Sequence, residues 1–347
     1  MRRLPSRVLD ALVLLWTVTT LTFALIHLAP GDPASLLIAP TASADDIARQ
    51  RAALGLDAPL VVQYARWMSG LLRGNLGTSF ALSRPVTAVI TEALPVSLLL
   101  GVSSLALSFL GGIIIGSVQA LRSGRRLDAL ITAVTTTAYA APSFWLSLAL
   151  VALATTGASR VGAPPWLRLP AFGLQDPAAL YAGFDAWRDL ARHAVLPLLV
   201  LAVPGAAGVA RYARQTLRDA STALHVQAAH ARGVPRLRVD IRYVMRTAWS
   251  PLVVLLGLML PGIIAGSVFV EQIFAWPGLG RAMMSAIASR DYPVVLGLTV
   301  VYAAVVILSN LVADIVVTQL DPRRRQAATG AAADGSTGDT GDAIAAR

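Results

Sequence analysis

Val96-Ser-Leu-Leu-Leu-Gly-Val-Ser-Ser-Leu-Ala-Leu-Ser-Phe-Leu-Gly-Gly-Ile-Ile-Ile-Gly-Ser-Val-Gln-Ala120 runs for 25 residues without an ionisable side chain. The hydrocarbon core of a bilayer is about 30 Å thick, and a helix needs about 20 mainly apolar residues to cross it. This stretch is long enough. Working outward, five more pass the same test: 8–28, 129–155, 194–212, 249–270 and 294–319. Pro197, Pro204, Pro251 and Pro261 interrupt two of them. Membrane helices tolerate proline where neighbouring helices or a water-lined cavity satisfy the freed carbonyls. The expectation is an all-α, multi-pass membrane protein with about six transmembrane helices.

Composition agrees. Of 347 residues, 56% are hydrophobic and 14% charged, against about 25% charged in soluble proteins. All 29 basic residues are arginine; lysine and cysteine are absent, and the net charge is +10. Without Cys there is no disulfide framework and no thiolate zinc site. Without Lys there is no phosphate-loop lysine, Schiff base or pyridoxal anchor. Arg2, Arg3 and Arg7 precede the first apolar run as in a signal peptide. That run is about 20 residues where a signal core has about 7–15, and it ends without a small-residue cleavage pattern, so a retained helix is expected.

Arginine placement predicts orientation. With the N-terminus in the cytoplasm, inner segments hold 18 arginines against eight aspartates, and outer segments hold 11 arginines against 10 acids, Glu271 at a span end included. Both termini are therefore expected inside. Three regions follow: 1–95, the first helix and a long outer loop; 96–320, five helices with an inner loop at 211–248; and 321–347, a tail without apolar periodicity that reads as disordered.

The first outer loop carries local signals. Ser43 with Asp46 makes a capping box, and Gly55 a helix stop. A second helix starts near Pro59 with Leu60, Tyr64, Trp67, Met68 and Leu71 on one face. Arg84-Pro85-Val86 opens a third short helix leading to Pro95. These helices read either as interfacial, with Tyr64 and Trp67 at headgroup level, or as a docking surface. The loop 156–193, with Trp166 and Trp187, reads as a cap over the pathway or as plain surface.

The inner loop 211–248 is the most informative segment. Thr222 can cap a short helix through Arg232, and Gly233 can end it in a left-handed conformation. Pro235 can open a second helix, whose Leu237, Ile241, Val244, Met245 and Ala248 form one apolar stripe. Arg238, Arg242 and Arg246 recur on another face, as in a helix lying on the inner leaflet among lipid phosphates. A DNA-binding helix-turn-helix is disfavoured, because the second helix runs directly into the fifth span.

Gln227-Ala-Ala-His-Ala-Arg-Gly233, with Pro251 eighteen residues beyond the glycine, resembles the Glu-Ala-Ala loop of binding-protein-dependent ABC importer permeases. Other motifs resemble the dipeptide/oligopeptide subfamily, which also includes glutathione and nickel permeases. They are His27-Leu-Ala-Pro-Gly-Asp-Pro33, Leu54-Gly-Leu-Asp57, Gln63-Tyr64, Gly74-Asn-Leu-Gly77-Thr-Ser79 and Arg84-Pro-Val86. Pro142-Ser-Phe-Trp145, Phe274-Ala-Trp-Pro-Gly-Leu-Gly280, Arg290-Asp-Tyr-Pro293 and Leu320-Asp-Pro-Arg323 continue in the subfamily's order, so the resemblance covers residues 8–325.

The resemblance implies a type I ABC importer permease fold in a bacterial inner membrane. It implies a second permease subunit, two cytoplasmic ABC ATPases that carry ATP and Mg, and an extracytoplasmic solute-binding protein. This chain itself would hold no cofactor and bind no nucleic acid. Gln227, Ala228, Ala229 and Gly233 are implied as the ATPase contact, with His225, His230 and Arg232 at its edges. Gln227 departs from the wider family's Glu, which puts a charge-assisted contact there in doubt. The implied cargo is a di- or oligopeptide, with nickel complexes, glutathione and sugars as alternatives.

Pathway candidates are fewer. Gly257, Pro261, Gly262 and Gly266 lie in the fifth span, and Gly112 and Gly116 in the second. Small residues at this spacing read as helix packing before gating. Asn310 and Asp314 share a face of the last span, where Asp314 reads as structural rather than as a proton relay. The histidines make no metal-ligand pattern. An intramembrane hydrolase would need a nucleophile and base within reach, and the spans offer no His or Lys beside their Ser and Thr. A self-contained carrier or channel is the other alternative, which uptake dependent on ATP and a binding protein excludes.

Overall fold

The computed structural model describes residues 4–28, 43–157, 160, 162, 164, 168–177, 181–265 and 267–320. Its described elements are helical. Helix α1 (Leu4–Leu28) packs on the last helix of the chain and leaves Leu9, Leu12, Val13 and Trp16 exposed, as a lipid-facing helix would. Next, α2 (Ala44–Ala53) starts with the expected capping box of Ser43 and Asp46. The Ser43 hydroxyl and backbone amide hold the Asp46 carboxyl below its usual range. Helix α3 (Leu60–Leu72) follows Pro59. Its aromatic residues pack against α1: the Tyr64 hydroxyl pairs with Thr20 Oγ1 at 2.8 Å, and the Phe23 ring stacks on Trp67.

The third short helix expected before span two is not separate. Helix α4 (Val86–Leu121) is continuous through Pro95. Proline removes one intrahelical hydrogen bond, which a packed helix of 36 residues survives. Span three, expected as one helix over 129–155, is instead α5 (Arg126–Ala140) and α6 (Ser143–Ala152, continued as a π-helical turn to Gly157). They meet at 99°. The cause is Pro142, which lacks an N–H and keeps Ala141 extended at φ −70°, ψ 123°.

Span four is longer than expected. Helix α7 (Phe184–Ser221) carries Pro197 and Pro204 inside it and packs along α4 in the largest helix–helix contact of the described residues. Glycine makes that contact close. A Cβ at Gly112 would stand 2.7 Å from the Ala206 carbonyl, and one at Gly116 2.6 Å from that of Ala210. The packing reading of these two glycines is the one the geometry supports.

Beyond α7 come α8 (Leu224–Ala231), α9 (Arg236–Val239), a π-helical turn at Asp240–Val244, and α10 (Met245–Met259). Span five does not persist as one helix. It breaks at Leu260-Pro261 into α10, α11 (Gly262–Ala265) and α12 (Val268–Ile273). The chain ends with α13 (Leu279–Ala288) and α14 (Tyr292–Leu320). By length and apolarity, α1, α4, α7 and α14 can each cross a membrane, and the bent pair α5–α6 is long and apolar enough for a fifth when its two halves are taken as one span. The expected sixth is the broken one.

Candidate functional site

Helix α8 is short, and two residues hold it. Val226 and Ala229 are fully buried in a cluster with Phe109 of α4, Ala213 and Leu217 of α7, and Ala248 and Leu252 of α10. The opposite side is exposed: His225, Gln227, Ala228, His230, Arg232 and Gly233. Ala229, expected at a partner contact, therefore faces inward and cannot be one; it is an anchor.

Local hydrogen bonds shape this surface. Thr222 does not cap α8, because it ends α7 and Ala223 occupies the cap without a side-chain bond. The Thr222 carbonyl instead accepts from Gln227 Nε2 at 2.9 Å, which turns the amide back along the helix. Arg232 Nε donates to the Ala228 carbonyl at 3.2 Å, and His225 Nε2 pairs with Thr247 Oγ1 at 3.0 Å. Gly233 has φ +76°, the left-handed conformation expected of it.

The apolar stripe expected beyond Pro235 is divided. Val244 and Ala248 enter the core, while Leu237 and Ile241 lie outside with Arg238, Arg242 and Arg246 around a shallow groove. The π-helical turn explains this, since a wider turn shifts the register between its two sides.

Behind the loop, Arg214 of α7 grips Asp128 of α5 with two bonds, Nε to Oδ1 at 2.9 Å and Nη2 to Oδ2 at 2.7 Å. The Gly124 N–H donates to the same carboxylate at 3.0 Å. This bidentate pair ties the start of the bent span to α7.

The sequence-based pathway candidates are not brought together as one site. Gly257 is covered: its Cβ position lies 3.2 Å from Ala313 of α14. Pro261 stands in the break after α10, and Gly262 has open space around it. Gly266 lies outside the described residues. Asn310 and Asp314 are both exposed on α14.

Two carboxylates that sequence reading passed over organise the other end of the bundle. Glu271 is fully buried. It accepts from Ser97 Oγ, Ser267 Oγ and the Gly280 N–H, each at 2.7 Å, and from the Arg281 N–H at 3.3 Å. A Cβ at Gly278 would stand 2.5 Å from the Ser97 hydroxyl, and one at Gly280 2.5 Å from Val268 Cα. The Gly278-Leu-Gly280 end of the motif packs directly against this carboxylate. Asp291 accepts from the Phe80 N–H at 3.0 Å, the Ala81 N–H at 3.1 Å and the Ser79 hydroxyl. It pins the Gly77-Thr-Ser79 turn to the start of α14. An acid inside an apolar stretch was the available signal for Glu271.

Comparison with known proteins completes the description. Residues 112–326 match the family described as binding-protein-dependent transport system inner membrane component, and residues 1–101 its N-terminal counterpart. The chain is 35% identical to the oligopeptide transport system permease protein AppB of Bacillus subtilis, over 91% of this chain and 97% of that protein. It is 35% identical to the probable D,D-dipeptide transport system permease protein DdpB of Escherichia coli, over 88% and 92%. It is 33% identical to the glutathione transport system permease protein GsiC of Salmonella paratyphi A, over 92% and 97%. Among solved structures, the MetNI methionine ABC transporter in an inward-facing conformation shares the fold with a TM-score of 0.52, at 17% identity, over 68% of this chain and 97% of that one.

Proposed function

Because the chain belongs to the family of binding-protein-dependent transport system inner membrane components, we propose that it forms one half of the pore through which an ATP-driven importer takes up short peptides. The chain is a peptide-type ABC importer permease, a multi-pass inner-membrane subunit. The assembly we infer adds a second permease, two cytoplasmic ATPases that hold ATP and Mg, and an extracytoplasmic binding protein that delivers cargo. Both termini lie in the cytoplasm in this reading, supported by the arginine excess on that side.

One observation carries the mechanism. The exposed residues Gln227, Ala228, His230, Arg232 and Gly233 lie on and just after a helix whose buried anchors, Val226 and Ala229, share a cluster with α4, α7 and α10. An ATPase that grips this surface and closes drags α8, and incompressible packing passes the displacement to α4, α7 and α10. At Gln227 the contact is neutral: one N–H of its amide goes to the Thr222 carbonyl, and its oxygen accepts rather than carrying a charge. Peptide cargo is supported by the names of relatives that match nearly the whole chain, for oligopeptides, D,D-dipeptides and glutathione.

Uptake into vesicles containing the reconstituted assembly tests this. Transport should require both ATP and the binding protein, and Gly233→Leu should abolish it while the amount of inserted protein stays normal. Uptake without ATP, or full transport by the variant, overturns the reading.

A further inference from the structure

Past the turn at Gly233, Arg238, Arg242 and Arg246 line a shallow groove together with Leu237 and Ile241, which are 72% and 64% exposed. None of the three arginines makes an ion pair or a side-chain hydrogen bond among the described residues. The one acid of the segment 236–249, Asp240, is half-buried and pairs with none of them. The π-helical turn sends Val239, Val244 and Ala248 into the core and leaves the two large apolar side chains outside, between guanidinium groups. Such a surface suits a partner that is apolar and anionic at once. The depth of the segment says which. No ionisable side chain occurs from 247 to 270. Helix α10 begins that run and packs along α7 and α14, two of the helices able to cross a membrane. Trp249, three residues past Arg246, is exposed, where tryptophan marks headgroup level. The arginines thus stand at the last polar level before hydrocarbon, and the anion found at that level is a lipid phosphate.

We propose that this groove is a binding site for the headgroup of an anionic phospholipid. Arg238, Arg242 and Arg246 fork its phosphate, as planar guanidinium groups do, while Leu237 and Ile241 enter the upper acyl region. In the orientation inferred above, the lipid belongs to the cytoplasmic leaflet. Thr247, next to Arg246, pairs with His225 of α8 at 3.0 Å, so the bound lipid steadies the base on which α8 moves. The assignment rests on the membrane-permease reading and is independent of the cargo.

The complete transporter, purified in a neutral detergent, is titrated with fluorescent phosphatidylglycerol and with phosphatidylcholine carrying the same acyl chains. Phosphatidylglycerol should bind at least about tenfold more tightly, since each basic residue at an anionic surface contributes about fivefold. R238Q/R242Q/R246Q should bring the two lipids within about twofold of each other. R122Q/R125Q/R126Q removes equal charge from another exposed loop and should leave the preference in place. A phosphatidylglycerol bearing a diazirine on its headgroup should crosslink the unaltered chain within 236–249, a readout that needs no variant to fold. No preference in the unaltered transporter, or crosslinks confined to other segments, overturns the proposal. An equal loss in R122Q/R125Q/R126Q makes the preference one of net charge and overturns it as well. Crosslinking in the isolated chain but none in the assembly makes the groove a subunit contact, which also overturns it. The importer reading is judged separately, by whether the unaltered transporter shows ATP- and binding-protein-dependent uptake.

Discussion

Gly233 is excluded from carrying a side chain by conformation, not by room: no atom lies within 4 Å of its Cβ position, yet φ is +76°. A left-handed residue with a Cβ costs about 1–2 kcal/mol, and asparagine tolerates the region better than alanine or a β-branched residue. Transport should therefore fall in the order Gly233→Asn, Gly233→Ala, Gly233→Val, at equal membrane levels on immunoblots. A steric contact would rank the same variants by volume instead, with alanine the mildest. Glu271 behaves differently, because its partners are fixed inside the fold. Glu271→Ala strands the Ser97 hydroxyl and the Gly280 N–H, and an unsatisfied buried group costs about 1–3 kcal/mol. Thermal unfolding of the detergent-solubilised chain should show a clear loss of stability. Glu271→Gln, which keeps the shape and one acceptor, should lose less.

At the scale of elements, Val226 and Ala229 build α8 into the bundle, which is what the proposed coupling role requires. Val226→Asp buries a charge among Phe109, Leu217 and Leu252, and should uncouple the assembly: ATP hydrolysis by the partner ATPases continues while vesicle uptake is lost. Gly112→Leu should act on α4 and α7, where overpacking costs about 1–3 kcal/mol, and should lower the yield of folded chain. Signals contained within a few residues were legible in the sequence. The Ser43–Asp46 box, the Pro59 helix start and the Gly233 stop all formed as expected. Apolar counting gave six spans where four helices and one bent pair are long and apolar enough among the described residues, because a bend at Pro142 and a break at Pro261 leave hydropathy unchanged. The role of Glu271 was hidden for another reason. Its partner Ser97 is 174 residues away, and no local pattern announces a pair that only the fold brings together.

At the scale of the whole molecule, the fold shared with the methionine transporter occupies 68% of this chain and 97% of that one, so about a third of this chain lies outside what that fold needs. The orientation inferred for the whole chain predicts that a green fluorescent protein fused after Arg347 lights up, while alkaline phosphatase fused there stays inactive. The two ends of the bundle are also fastened by different chemistry. Toward α8, the fastening is an ion pair, Arg214 with Asp128. At the far end the carboxylates of Glu271 and Asp291 are held by amide N–H and hydroxyl groups, with no cation paired to either among the described residues. Ionic strength weakens exposed charge pairs over a Debye length of about 8 Å at physiological salt, and it has little hold on neutral donors sealed away from solvent. In the orientation inferred above, the end that faces an environment whose salinity the cell does not set holds these two carboxylates with hardware that brine does not loosen.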